Sequence, residues 1–444
     1  KFFGKNFDGA FLSIIAIENC FFNLEYKQDP IYPLPPVIKI FFLIFINIYY
    51  YFFLDKLCIN KLMNISIIVG GRFHAFNLAE QLYKKNYLKQ LITSYPKYYV
   101  KNKFNIPKDK IESIFLKELI QRSFLSKIYN LNDLLIEYFD KKARNLINFE
   151  NLDILVGWSG FSYQTFLKAK NQKCIKILER GSSHIEFQNE ILKEEYSIQN
   201  LEPNEISKYI IEKEKKEYDL ADYIMVPTDF AKQTFLEKGF KDEKIIKNSY
   251  GVNLQEFSSD SFLDKEINFF RIIYTGTVSV RKGILYLLEV LKNLNLKNSE
   301  LFIVGDVDKE ISDRISKYKS NPKIRFKNAV KQSELKKLYN ISNIFVTCSI
   351  EEGLSMVQLQ AMACGLPVIC TANSGGKEII NDNINGYILP IRNKDLLKEK
   401  ILYLYNNRHI CKQMGKNAQK KATTEFSWEI YGQKAISIYQ DLIN

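Results

Sequence analysis

Short apolar runs alternate with amphipathic helical stretches from Asn64 to the end of the chain. No other feature constrains the fold as much. This is the pattern of strands covered on both faces by crossover helices, as in parallel α/β sheets. In the first half, strands are predicted at 65–69, 91–95, 154–158, 174–179 and 223–227. The leucine, isoleucine and phenylalanine spacing over 111–143 predicts one or two long helices. A second strand series is predicted at 271–275, 301–304, 324–326, 344–347, 368–371 and 387–389. Between the two lies a polar, broken stretch at 253–268 that suits an interdomain linker.

A chain of 444 residues is too long for one ordinary core. Two Rossmann-like units of comparable size are therefore expected, with ligand held in a cleft at the carboxyl ends of their strands. Composition excludes rather than selects. The formal charge of +13 suits an anionic partner, but no groove-reading motif or stacking module is present, so nucleic acid is not expected. The seven cysteines form no C-x-x-C pair and read as buried small residues of a reducing, cytoplasmic compartment. Three histidines without ligand spacing give no reason to expect a metal. Residues 1–62 form an N-terminal extension that opens on Lys1. Within it, 37–54 is an apolar run interrupted by Lys39 and Asn47, at the lower length limit for a membrane span. A signal anchor and an extension upstream of a start at Met63 both remain open.

Four segments carry candidate chemistry. In 351–376 a predicted strand runs into Glu352-Gly353-Leu354-Ser355, where a helix begins. Free N–H groups at a helix start seat phosphate, Gly353 admits a ligand close to the backbone, and Glu352 can face sugar hydroxyls. Gln360 follows two turns along that helix. In 276–283, Gly276 ends a strand and Arg281-Lys282 open a helix, placing two cations where they could clamp a diphosphate. Gly70 and Gly71 follow the first strand, leading to His74, which suits either a ligand contact or a satisfied structural histidine. His184 ends the loop ERGSSH after another strand and could reach the cleft as a proton donor or acceptor. Asp306-Val307-Asp308 has the look of a metal-holding D-x-D but sits where a tight turn is ordinary.

These motifs together resemble the retaining glycosyltransferases of family 4, which have the GT-B fold. The resemblance spans 63–444 and rests on GGRFHAF, SYGVNLQEF, GTVSVRKG, EGLSMVQLQAMACGLPV, NGYILP and the closing FSWEIYGQKAISIYQ. It implies an acceptor domain at 63–252, a linker at 253–268, a donor domain at 269–425 and a crossing helix at 426–444. It also implies donor contacts from Gly70, Gly71, Gly276, Arg281, Lys282, Gly353, Leu354, Ser355 and Gln360, with His184 and Glu352 as catalytic residues and no metal or other cofactor. The expected substrates are a nucleotide-sugar and a glycan or lipid-linked acceptor, handled at the cytoplasmic, inner face of a membrane. The basic, aromatic-rich stretch 97–127 could rest on an anionic leaflet, or could be a solvated face. An epimerase on the same fold and a degenerate nucleotide-sugar-binding protein are the alternatives. Two positions depart from the family: Gln360 stands where a second glutamate is usual, and Thr277 where an arginine is.

Overall fold

The computed structural model describes residues 63–123, 131–259, 269–294 and 296–444. The apolar run 37–54 lies outside them, as does most of the 253–268 linker. Among the described residues no helix is long and apolar enough to cross a membrane.

Two all-parallel sheets form. The first joins β1 (Ile65–Val69), β2 (Leu88–Thr93), β3 (Ile111–Ser113), β4 (Ile154–Trp158), β5 (Ile175–Glu179), β6 (Tyr223–Val226) and β7 (Ile245–Lys247). Their order is β3-β2-β1-β4-β5-β6-β7. The second sheet joins β8 (Phe270–Thr275), β9 (Ser299–Val304), β10 (Ile324–Lys327), β11 (Ile344–Val346), β12 (Val368–Thr371) and β13 (Gly386–Leu389), in the order β10-β9-β8-β11-β12-β13. The central strands are mostly apolar, and every residue of β1 and β4 is buried, Ser66 included, because helices cover both faces.

Strand order reverses between β1 and β4 in one sheet and between β8 and β11 in the other. At such a reversal the flanking crossovers leave in opposite directions and open a crevice beyond the strand ends. Both crevices belong to one site. The last helix, Trp428–Ile443, returns to the first sheet and packs on helix Ala75–Lys84, with Gly432 against the Gln81 side chain. Two Rossmann-like domains with this returning helix constitute the GT-B fold.

The stretch 111–143 is not one or two long helices. It opens with β3, continues as the short helix Leu116–Arg122, and its long helix is Asn132–Leu146. Ile111, Ile114, Phe115 and Leu119 carry a helical spacing, yet Ile111 pairs with Leu91 at the sheet edge while Phe115 and Leu119 stay exposed. The other edge strand, β7, has three residues and was not anticipated; so short a run has no visible period.

Candidate active site

The cleft holds a cavity of about 700 Å³ with walls from both domains. The first domain supplies Phe73 and His74 after β1, Trp158 to Phe161 after β4, Glu179 to Ser182 after β5, and Tyr250. The second supplies Arg281, Leu354 and Met356. Local structure fixes the first wall. Glu217, from helix Lys208–Leu220, accepts the backbone N–H groups of Gly160, Ser162 and Tyr163 at 2.5, 2.7 and 3.0 Å, which pins the turn after β4. Arg180 Nε donates to the Ser183 carbonyl at 2.9 Å and its guanidinium pairs with Glu214 at 2.9 Å, which holds the turn after β5.

On the second domain, the turn after β8 and the turn after β11 lie side by side. Lys282 Nζ stands 2.7 Å from Glu352 Oε2. Burial alone would raise the Glu352 carboxyl, but the charges of Lys282 and Arg281 outweigh it and hold the group below its ordinary value. Gly283 starts helix Ile284–Lys292 at φ +59°, and any Cβ there would meet the Cys348 carbonyl at 2.0 Å. The amides of Glu352 and Ser355 donate to the carbonyls of Asn373 and Ser374 at 2.8 and 3.2 Å. The glutamate turn is therefore braced from behind.

Adjacent to Glu352, Glu351 turns the opposite way and joins the domains. Its Oε1 accepts from Ser182 Oγ (2.7 Å), Ser183 Oγ (2.6 Å) and Ser183 N (3.0 Å). Its Oε2 accepts from Gln188 Nε2 at 2.9 Å and from Arg281 at 3.0 Å. Complete burial would raise this carboxyl; Arg281 and the two serines reverse that and hold it at about 2. Gly353 completes the seam. Its Cβ position lies 2.2 Å from the Gly181 carbonyl, and its own carbonyl accepts from Thr228 Oγ1 at 3.1 Å. Gly353→Ala is expected to force the domains apart and cost about 1–3 kcal/mol, read as a lowered denaturation midpoint.

The expected site residues divide into those brought together and those not. Arg281, Lys282, Glu352, Gly353, Leu354 and Ser355 form one cluster at the ends of β8 and β11, and Gly276 directly follows β8 with φ +130°. Gly70 and Gly71 lie just behind the cavity wall: a Cβ at either would strike the ring of Phe161 or Phe73. Gln360 is half-buried on helix Met356–Ala363, away from the cavity wall. It is Gln358 that is buried, donating to the Ser374 carbonyl at 2.8 Å.

His184 must be corrected. It does not reach the cavity. It caps helix Ile185–Ile198, its Nδ1 accepting from the Glu186 N–H at 3.2 Å, and its ring is buried among Tyr218, Phe235 and Phe240. Burial pushes it down to about 4, so it is neutral at ordinary pH. The ERGSSH loop turns into a helix one residue later, and the cap position points the ring into the domain. The histidine at the cavity is His74.

Asp306-Val307-Asp308 forms a turn that pairs with Val278, where Asp306 Oδ1 accepts the Ala329 N–H at 3.1 Å. Among the described residues no cluster of three or more histidine, cysteine, aspartate or glutamate side chains could hold a metal ion. Sequence reasoning missed Glu351, Glu179 and Tyr250. The signal for Glu351 was its place beside Glu352 on an extended segment, where successive side chains face opposite ways.

Two parallel sheets with a charged cleft at their facing switch points place the chain in the GT-B fold class. Residues 259–421, which include the second sheet, match the family model Glycosyl transferases group 1. An uncharacterized glycosyltransferase of Methanocaldococcus jannaschii, MJ1607, is 28% identical over 210 residues, 44% of this chain and 53% of that protein. The chain spans about half the length of the curated relatives it matches. Among solved structures, sucrose-phosphate synthase from Thermosynechococcus elongatus superposes with a TM-score of 0.67 at 17% identity, over 86% of this chain and 99% of that one. Anabaena Alr3699/HepE, solved in complex with UDP, gives 0.60 at 15% identity, over 85% and 100%.

Proposed function

We propose that this chain is a glycosyltransferase that moves a sugar from a nucleotide-sugar to a glycan or lipid-linked acceptor, with retention of anomeric configuration. The observation that carries the reading is the half-buried Lys282 paired with the buried Glu352 at the β8/β11 switch point and flanked by Arg281. Lys282 keeps two N–H donors beyond the one given to Glu352, and Arg281 lines the cavity. Both can meet a diphosphate. In the step itself the bond between the donor's anomeric carbon and its phosphate oxygen breaks, and the nucleoside diphosphate leaves with the electron pair. The acceptor oxygen bonds that carbon on the same face, and its proton passes to the departing phosphate oxygen. Fixed cations favour this step because they are already oriented where negative charge grows.

Thr277 and Gln360 weaken the family pattern but leave this pair intact. The cavity on the first-domain side supports transfer over epimerisation, which needs no acceptor room. Exposed Tyr98, Phe115, Leu116 and Leu119, with exposed Lys101 and Lys103, support contact between the first domain and a membrane's cytoplasmic face. The test is thermal melting against nucleoside diphosphates and their sugars, uridine first because UDP occupies the Anabaena neighbour. A ligand at 100 times its Kd is expected to stabilise by about 2.7 kcal/mol. A folded sample that responds to none of them overturns the proposal.

A further inference from the structure

We infer that Glu217 is a positioning residue whose gain or loss of one proton resets the cavity-wall turn after β4. The role rests on the transferase reading, which places the substrates in this cavity. A charge count points to it. Asp140, Arg180, Lys213, Glu214 and Glu217 lie together inside the first domain, and each is at most 8% exposed. Three are acids and two are bases. Lys213 Nζ is 2.6 Å from Asp140, and Arg180 is 2.9 Å from Glu214, so both cations are taken. Glu217 forms no salt bridge among the described residues.

Glu217 and Asp140 meet at the start of helix Tyr163–Ala169, where Glu217 Oε1 and Asp140 Oδ2 accept the consecutive amides of Tyr163 and Gln164, each at 3.0 Å. Asp140 Oδ1 has no hydrogen-bond partner in the protein. With every acid ionised, this cluster has one carboxylate too many for its cations, and a retained proton removes the excess. Burial first, then the charges of Asp140 and Glu214, raise the Glu217 carboxyl to about 8, against the lowering effect of the Ser162 and Gly160 N–H groups. Tyr218, next to it on the same helix, is pushed well above its ordinary value by burial and stays protonated. Glu137 stands beyond Asp140, tied to Lys213 at 3.3 Å. Because the folded state favours protonated Glu217, stability from this group is complete below pH 4.5 and is lost as pH rises through about 8.

The proton matters because of what the carboxylate holds. Ionised, it accepts the N–H groups of Gly160, Ser162 and Tyr163 together. Protonated, it has less acceptor capacity while the same three donors still need it. Those amides pin the turn whose Ser159, Gly160 and Phe161 line the cavity. The Phe161 ring fills the space of a Cβ on Gly70, lies 6.4 Å from the Phe73 ring and has Lys117 Nζ over it at 5.3 Å. A shift of the turn therefore moves the wall at the end of β1 as well as at β4.

The experiment uses the full chain carrying Trp428→Phe, which leaves Trp158 as its one tryptophan. The Trp158 carbonyl accepts the Phe161 N–H at 3.0 Å and the Ser162 hydroxyl at 2.9 Å, so its indole reports on the turn. Its fluorescence, followed from about pH 6 to about pH 9.5, is expected to show a one-proton transition centred at about 8. Glu217→Gln should abolish the transition, since an amide has no proton to lose. Asp140→Asn removes a like charge and should lower the midpoint by about one pH unit, which decides the matter if Glu217→Gln does not fold. His74 also faces the indole, at a centroid distance of 5.0 Å, but a transition of its own would survive in Glu217→Gln. A merely structural carboxylate would give no transition. None in the parent, one that persists in Glu217→Gln, or an unmoved midpoint in Asp140→Asn overturns the inference. Melting of the same samples with UDP tests the transferase reading separately. A Trp158 transition without a UDP shift counts against that reading and leaves Glu217 its hold on the turn.

Discussion

Lys282→Met is expected to lower turnover by roughly 10²–10³-fold, the loss typical when one fixed donor to developing negative charge is removed. Methionine keeps most of the side chain's length and apolar stem, so packing beneath the turn after β8 is retained. What disappears is a cation held 2.7 Å from Glu352. The substitution also leaves a buried carboxylate without its paired cation, keeping only the Ser349 hydroxyl, so the melting temperature should fall too. The double variant Lys282→Met with Glu352→Gln separates the two effects. It should recover the melting temperature, because a neutral amide no longer needs the cation, and it should not recover turnover. Turnover within threefold of wild type in the single variant would remove Lys282 from the donor site.

Glu351→Ala is expected to destabilise the chain by about 3–5 kcal/mol, the range for breaking one side of a buried ion pair. Its loss strands Arg281, Ser182, Ser183 and Gln188 at once, since each gives it a hydrogen bond. The same residue predicts an acid response. Its folded carboxyl titrates at about 2 against an ordinary 4.5, so the folded state prefers the ionised form. The stabilisation, about 3 kcal/mol, is fully present above pH 4.5 and is lost as pH falls toward 2. Urea unfolding of wild type and Glu351→Gln across that window checks it: the variant should lose this component of the slope. Parallel slopes would show that Glu351 is not the group that titrates.

Central structure was legible in the sequence and edges were not. Strands β1, β4 and β12 have the bounds their apolar runs predict, because a strand buried on both faces reads as a nearly continuous apolar run. At three residues, β3 and β7 depend on pairing with a neighbour that no local pattern reveals. The Arg281, Lys282 and Glu352 cluster was legible because each follows a strand end, where topology gathers side chains. Direction was not. His184 and His74 both follow strands, and only the geometry of the turn decides that His184 caps a helix inward while His74 faces the cavity. Glu351 and Glu352 likewise differ by one residue and serve different domains.

The two passages of the chain between its lobes run side by side. The Val252 N–H donates to the Phe426 carbonyl at 2.7 Å, Val252 bridges Ser427 in parallel, and a Cβ on Gly251 would touch the Ser427 backbone. In effect, the second lobe is an insertion whose entry and exit share a doorway, with the final helix belonging to the host. A chimera that exchanges nucleotide specificity between relatives should therefore be cut at both sides of that doorway. A single junction would bring in a foreign closing helix along with the new lobe and leave the first sheet with a mismatched cover.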